Sequence, residues 1–556
     1  MTQEDAHAPA LPLWDVVICG AGPAGLTLGN HLGVLGLKVL IVERLPALLD
    51  YPRGVGIDDE SLRSFQSVGL VDAVRRHTVP HQILSFIDRR GRTLAAMAPS
   101  AQPFGWPRRN GFIQPRVDRE LARGLAAFAH VQLRLGTAME RFEEQGERIA
   151  LALRACDADG EPTGPAEQHH ARYLVGCDGG RSSVRHGLGL PFEGRSESTR
   201  WLVIDLADDP IGTLNAAFVL DDDIPHVTMG LPHGVRRYEF MVPDGADEQA
   251  VSTPAHAREM LRRVLPPGVE PSIIRHRVYT HHARIAPTFR KGRALIAGDA
   301  AHLMPVWQGQ GFNTGIRDVT NLGWKLALVA SGRAGERLLD SYTEERHAHA
   351  SAMIDLSVLT GRIFVPAHPL LKAVRNIVAP AIARIGPLRR YITEMRFKPM
   401  PFFRRGAVLH PGAVPDPRSG VGRMFIQPWV ADAAGRRMRL DDAIGLRFAL
   451  LSWSVGAEAW LDDAARGVLR QLDALPVVVK PACQLHGAAG AEDGTVLLAD
   501  EAGEFKRWFD HAPGPVVLLR PDRVVAAICQ PCNLNAALQA LATVMDLRPP
   551  RTGAKA

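Results

Sequence analysis

Cysteine is scarce, at six in 556 residues, and most of the six sit beside apolar runs. That excludes a small disulfide scaffold and fits a reduced, cytoplasmic protein. Runs of about 18 apolar residues are missing, so neither a membrane-crossing helix nor a membrane partner is expected. Long runs of one charge are missing too. Lysine and arginine total 65 against 59 acidic residues, a net charge of +6. The basic residues fall in scattered doublets such as Arg75-Arg76, Arg236-Arg237, Arg262-Arg263 and Arg404-Arg405. Nucleic acid is therefore not an expected partner; most doublets read as solvated faces, and the mild positive field favours small anions. The first residues, Met-Thr-Gln-Glu-Asp-Ala-His, are polar and acidic, unlike a secretory leader. No internal repeat or low-complexity tract occurs.

What is present is a globular composition, 46% hydrophobic and 22% charged, in a chain long enough for several domains. Asp15–Cys19 is a short continuous apolar run ending in glycine, the pattern of a buried parallel strand. A helix-like stretch runs to about Leu35, and a second strand follows over Lys38–Val42, which makes one βαβ unit. Further strands are predicted at Tyr173–Val175, Trp201–Ile204, Tyr238–Val242 and Ala294–Ala297. Alternating patterns between about 195 and 285 suggest an antiparallel sheet inserted into the α/β domain. Asn321–Ser331 is helical in pattern, and residues 366–405 read as helices leading to a linker. Beyond about Pro411, short strands alternate with helix-like pieces, which predicts a separate α/β domain.

The chemistry begins at Gly20-Ala21-Gly22-Pro23-Ala24-Gly25, between the first strand and its helix. The first glycine permits the tight turn, the second lets a pyrophosphate approach the backbone, and the third lets helix and strand pack closely. The helix N-terminus supplies free N–H groups and a positive dipole end. Glu43 ends the second strand, where a carboxylate can accept hydrogen bonds from ribose hydroxyls. This motif predicts a dinucleotide and leaves FAD and NAD both open. Two later motifs each place an aspartate after a strand, Cys177-Asp178-Gly-Gly-Arg181-Ser-Ser-Val-Arg185 and Gly298-Asp299-Ala-Ala-His302-Leu-Met-Pro305; alone, either could be a helix cap.

Together and in this order, the three motifs resemble those of the class A flavoprotein aromatic hydroxylases. Four further stretches resemble the 3-(3-hydroxyphenyl)propionate hydroxylases of that class, which also accept 3-hydroxycinnamate: Tyr51–Glu60, Gly105–Pro115, Met304–Asn313 and Met395–Pro401. The resemblance runs from about residue 15 to about 548. It implies an FAD-binding domain (about 12–80, 110–195 and 285–365) with an inserted antiparallel-sheet substrate domain (about 81–109 and 196–284) and a helical linker, all within residues 1–400. A thioredoxin-like C-terminal domain over 405–556 follows. It also implies FAD as cofactor, NADH or NADPH as reductant, dioxygen and a small phenolic carboxylic acid as substrates, and hydroxylation ortho to the phenol. A homodimer is one further expectation.

By the same resemblance, Asp299 holds the FAD ribityl chain and Glu43, Gln114 and Asp178 also serve the cofactor. Arg44 is a candidate for the adenosine phosphate or ribose, with a solvated arginine as the alternative, and Arg53 for an FAD phosphate or the reductant. Pro305, Gly309, Gly311 and Asn313 form a glycine-rich helix start against the flavin, whose negative edge suits a helix dipole. Arg236 and Arg237 are candidates for the substrate carboxylate, with a surface doublet as the alternative. His302 could relay a proton or be packed at a helix start. Trp307 and Phe312 could stack near the substrate ring or fill core. His281-His282 lacks ligand-like partners, so no metal is expected. The Cys529-Gln-Pro-Cys532 pair follows the last strand, the wrong element for a redox thioredoxin, and reads as two unpaired thiols. The same chemistry on phenol, resorcinol or a polyketide is the nearest alternative. A disulfide reductase lacks its cysteine pair, and a flavin-bound interaction protein is the alternative from another class.

Overall fold

The computed structural model describes residues 13–549, apart from 222, 244, 365–369, 371–373, 375–376, 379–380, 382–383, 486–493 and the side chains of 197, 198 and 308. Three large sheets organise the chain. The first is built on the strand Leu13–Cys19, whose Val16, Val17 and Ile18 are fully buried. It pairs in parallel with Val39–Glu43 on one side and with Pro162–Gly176 on the other, and Ala294–Ile296 continues the parallel series. Strands covered on both faces need continuous apolar runs, which is why they were legible. The helices Pro23–Val34 and Gly311–Ala330 pack together so closely that a Cβ on Gly323 would lie 3.2 Å from that of His31. The second helix starts ten residues before its periodic pattern does, because its first turns carry Gly311, Asn313, Thr314 and Gly315, all poor helix formers. Part of the helical stretch expected over 366–405, all of it before residue 384, lies outside the described residues; Gly386–Thr393 is helical.

The second sheet has eight strands, running from His302–Leu303 and Ser272–Ile285 through Glu193–Ala207, Val235–Val242, His226–Leu231 and Ala216–Leu220 to Leu84–Asp88 and Thr93–Met97. Only the pairing of Ala216–Leu220 with Leu84–Asp88 is parallel. Side chains alternate between its faces. One face buries Leu202, Ile204, Leu206 and Phe240 against the helix Pro254–Arg262. The other turns Trp201, Phe218, Met229 and Leu231 toward Ile113, Trp307 and Met395, and this face overlooks the glycine-rich segments.

The third sheet has seven strands in a thioredoxin-like domain. Ala449–Trp453, Leu475–Pro481 and Val496–Asp500 are parallel, and Val516–Leu519 and Val525–Cys529 run antiparallel beside them. Two short edge strands, Trp429–Asp432 and Arg437–Arg439, were not anticipated. Cys529 ends the last strand, Cys532 lies in the turn beyond it, and all six cysteines are unbridged. Burial pushes the Cys529 thiol up to about 11, so it is a poor nucleophile.

This domain is bolted to the rest by buried charge. Arg520 donates from both terminal nitrogens to Glu345 at 2.8 Å each, and its Nε donates to Asp522 at 2.9 Å. Lys325 Nζ, Asn321 Nδ2 and the backbone N–H of Ala407 also donate to Glu345, at 2.8, 2.6 and 2.8 Å. A second tie joins Arg63 to Asp441 through two hydrogen bonds of 2.6 and 2.8 Å. Burial alone would raise the Glu345 carboxyl; Arg520 and Lys325 outweigh it and hold the group down at about 2. A carboxyl lowered on folding adds stability above its unfolded value, here near 4.5, and loses it as pH falls toward 2.

Arg520→Ala, which strands Glu345 without its strongest partner, should cost about 3–5 kcal/mol in chemical denaturation at neutral pH. That deficit should shrink between pH 4.5 and 2 as Glu345 takes up a proton. By contrast, Cys529→Ser with Cys532→Ser should leave turnover nearly unchanged; a large loss with the fold intact would give the pair a redox role.

Candidate active site

The glycine-rich turn is dictated by close approach. Gly20 has φ +100°, and a Cβ there would stand 2.4 Å from the carbonyl oxygen of Cys177. A Cβ on Gly25 would be 2.0 Å from the oxygen of Gly20. Gly22 differs: its φ of −77° suits any residue and nothing lies within 4 Å of its Cβ position. Its missing side chain therefore leaves space for something other than protein. That space adjoins the N-terminus of the helix Pro23–Val34, which no side chain caps. Glu43 accepts the N–H of Ala21 at 3.0 Å and that of Leu45 at 3.1 Å, which sets its carboxylate beside the turn. An open, positively polarised helix end with a carboxylate beside it fits the pyrophosphate and ribose of a dinucleotide. Arg44 is exposed, beside Gly160.

Three elements meet at a second glycine junction. Gly298 has φ +61°, its Cβ position lies 3.2 Å from Ala24 Cβ, and that of Gly315 lies 3.2 Å from Gly298 Cα. Asp299 is set in this junction, with its carboxyl raised by burial and drawn down by Arg53 and His302. Asp178 caps a short helix, accepting from the N–H groups of Ser183 at 2.7 Å and Val184 at 3.2 Å. His302 is buried, with Nε2 2.6 Å from Asp318, which also accepts from Gly298 N and from Arg346. His302 is thus packed, but in the short strand His302–Leu303 and not at a helix start.

The segments 53–56 and 309–313 are held against one another. Gln114 Oε1 accepts from the N–H groups of Arg53 at 3.0 Å and Gly54 at 2.8 Å, and Gln114 Nε2 donates to Asp118. Burial lifts the Asp118 carboxyl to about 7. Asn313 Oδ1 accepts from Asp58 N at 3.0 Å and Ser61 Oγ at 2.8 Å, while its Nδ2 donates to the carbonyls of Gly56 at 3.0 Å and Gly309 at 2.8 Å. One amide therefore clamps both glycine-rich segments. Beneath them Arg317 donates to Glu60 at 2.8 and 3.0 Å and to Asp58, and Lys398 Nζ donates to Asp58 at 2.8 Å. Gly309, at φ +61°, and Gly311 add no side chains of their own to this loop; Pro305 precedes it.

The facing sheet supplies an aromatic wall. Trp307 lies 5.3 Å from Trp201, 5.5 Å from Phe218 and 6.0 Å from His281 between ring centroids. Phe312 packs against Phe112 at 4.8 Å. Beside the wall, Arg237 donates to Asp205 at 2.8 and 3.0 Å and to the carbonyl of Pro52 at 3.0 Å. Arg236 is bound by Asp209, Thr228 and Thr213. The arginine doublet is thus neither a surface pair nor a free carboxylate anchor: Asp205 stands opposite Arg237 in the neighbouring strand, and both guanidinium groups are buried and paired. Glu239, raised by burial, and Tyr279, also raised by burial, share this neighbourhood through Arg237 and were missed in the sequence.

A parallel-sheet dinucleotide cradle facing an antiparallel sheet across glycine-rich loops defines a flavin-dependent monooxygenase. Residues 14–357 match the FAD binding domain family and residues 422–544 the HcaD C-terminal domain, and the chain belongs to this family of FAD-dependent aromatic hydroxylases. It is 50% identical over 529 residues to a 3-(3-hydroxy-phenyl)propionate/3-hydroxycinnamic acid hydroxylase of Mycobacterium sp. (strain KMS), covering 95% of this chain and 90% of that one. The Klebsiella pneumoniae (strain 342) protein of the same name is 45% identical, with 96% and 95% covered. Among solved structures, aklavinone-11 hydroxylase with FAD and aklavinone superposes at TM-score 0.74 and 24% identity, over 98% of this chain and 100% of that one. A flavin-dependent monooxygenase in complex with FAD and substrate superposes at 0.77 and 22%, over 97% and 100%.

Gly22→Ala should separate cofactor from fold. The apo-protein should melt unchanged, because the new methyl meets no protein atom, while FAD affinity falls. Asp299→Ala should also weaken FAD retention, by roughly 1.5–3 kcal/mol if a charged hydrogen bond is lost. Full occupancy of either variant at low micromolar FAD, read from flavin absorbance, would contradict the cradle.

Proposed function

We propose that the protein uses NADH or NADPH and dioxygen to hydroxylate 3-(3-hydroxyphenyl)propionate and 3-hydroxycinnamate ortho to the phenol, in cytoplasmic breakdown of aromatic acids. The observation that carries the reading is the aromatic wall of Trp201, Phe218 and Trp307 facing the doubly clamped glycine loops. It is joined by the half-identical relatives, which are named for 3-(3-hydroxyphenyl)propionate and 3-hydroxycinnamic acid. When bound, FAD would accept two electrons from the reduced nicotinamide and use them to activate dioxygen. One oxygen atom enters the ring and the other leaves as water.

The protein's own part is to bind, orient and exclude water. In this reading Gly20, Gly22, Gly25 and the first helix hold the FAD pyrophosphate, with Glu43 on the ribose and Arg44 nearby. Asp299 takes the ribityl chain. Asp178 fixes the turn after the strand Pro162–Gly176 through its hydrogen bonds to Ser183 and Val184. Gln114 and Asn313 fix the Arg53–Gly56 and Gly309–Asn313 segments, with Pro305 setting the approach. Trp307 orients the ring. Arg237 fixes the Pro52 carbonyl and acts as a positioning residue, since its donors are engaged. The FAD-binding portion spans about 12–80, 110–195 and 285–365, the substrate portion about 81–109 and 196–284, and the C-terminal domain 405–556. A homodimer completes the proposal.

Aerobic incubation with a panel of phenols should yield a 2,3-dihydroxy product from 3-(3-hydroxyphenyl)propionate, identified by mass spectrometry, at rates well above those with phenol or resorcinol. In anaerobic stopped flow, this substrate should accelerate flavin reduction by at least about tenfold, or roughly 1.4 kcal/mol. Equal traces with and without substrate would mean that substrate does not control flavin reduction, while leaving the product test to decide the activity.

A further inference from the structure

A cavity of about 150 Å³ lies where the Asp50–Pro52 loop meets the first turns of the helix Gln114–Gly124 and the strands Val235–Val242 and Ser272–Ile285. Pro52, Ile113, Leu231 and Ile274 form apolar wall. Five charged residues line the rest: Asp50, Arg116, Arg119, Asp205 and Arg275. Three of them are already engaged. Asp205 is gripped by Arg237, and Arg275 donates to the Asp50 carbonyl at 2.8 Å and stands 3.6 Å from its carboxylate. Arg116 and Arg119 are exposed and have no acidic partner among the described residues. Three positions apart on one helix, their Cβ atoms are about 5–6 Å from one another.

Two uncompensated guanidinium groups on an apolar cleft call for an anion with two charges in close succession. Their planar forks match phosphate oxygens. A single carboxylate would satisfy one of them. The volume is below the roughly 300–1,000 Å³ of a site that encloses a whole ligand, so it admits one segment of a larger molecule whose remainder crosses the open surface. We propose that Arg116 and Arg119 bind the pyrophosphate of the reduced nicotinamide dinucleotide. The proposal rests on the reading that such a dinucleotide reduces the flavin. The position also couples the two events. Gln114, at the start of this helix, holds the N–H groups of Arg53 and Gly54, and Pro52 both lines the cavity and gives its carbonyl to Arg237. A ligand seated here therefore bears on the loop that faces the flavin.

Anaerobic stopped-flow reduction of the FAD-loaded enzyme, saturated with 3-(3-hydroxyphenyl)propionate, tests this across a series of NADH and NADPH concentrations. Arg116→Ala with Arg119→Ala should raise the apparent Kd of the reductant about tenfold or more. The limiting rate, the substrate Kd and the FAD content should stay within about twofold. The double Lys variant should recover part of the affinity. Inorganic pyrophosphate should compete with NADH in the unaltered enzyme and lose that effect in the Ala variant. Reduced nicotinamide mononucleotide, which lacks the pyrophosphate, should be insensitive to the substitutions. An unchanged reductant Kd in the Ala variant overturns the proposal. A loss of substrate affinity with reductant affinity intact overturns it as well, and would assign the cavity to the aromatic acid. Failure of both NADH and NADPH to reduce the unaltered enzyme would sink the reductant reading itself, a result distinct from a defect confined to the variant.

Discussion

The site depends on backbone approaching backbone more closely than any side chain allows. At Gly20 the first strand turns against the carbonyl of Cys177, and at Gly298 the Asp299 turn meets Ala24 and Gly315. A Cβ at Gly20 would overlap a neighbouring backbone atom, and one at Gly298 or Gly315 would press on its neighbours; the φ of +100° or +61° at Gly20 and Gly298 disfavours other residues anyway. These contacts bring the ends of three parallel strands to one place. That leaves a row of N–H groups and two carboxylates around a space the protein does not fill. Gly22 shows the other use of glycine, where the omitted side chain keeps that space open.

Close approach alone would leave the loops free to wander, and buried polar groups fix them. Asn313 uses both its amide oxygen and its amide nitrogen to join segments more than 250 positions apart in the chain. Arg317 and Lys398 neutralise Asp58 and Glu60 beneath the same loops. Asp59 beside them is pushed up to about 7 by burial and by the neighbouring Asp58 and Glu60 carboxylates, against the pull of Lys398. Such networks hold only when every partner is present. The glycine loops are therefore permissive in backbone conformation yet held in one arrangement by the Gln114 and Asn313 amides.

The cradle was legible because its signals are local: glycines at fixed offsets, an acid at a strand end, and apolar runs in strands buried on both faces. The facing sheet was legible only as alternation. Trp201, Phe218, His281 and Trp307 converge through strand order, which no spacing encodes. Arg236-Arg237 illustrates the gap. Its partners Asp209 and Asp205 lie 27 and 32 positions away on or near an adjacent strand, so the doublet read equally as surface or anchor and is neither. Asp178 was open between cofactor and cap, and its hydrogen bonds make it a cap whatever else it touches. The ties of the C-terminal domain, Arg520 to Glu345 and Arg63 to Asp441, span 175 and 378 positions and left no local trace.

Flavin-dependent hydroxylation is tested most directly by the source of the new oxygen atom. With NADH, 3-(3-hydroxyphenyl)propionate and isotopically heavy dioxygen in ordinary water, the dihydroxy product should carry one heavy oxygen atom per molecule, read by mass spectrometry. Product bearing oxygen from water, or peroxide released with no labelled product, would contradict it.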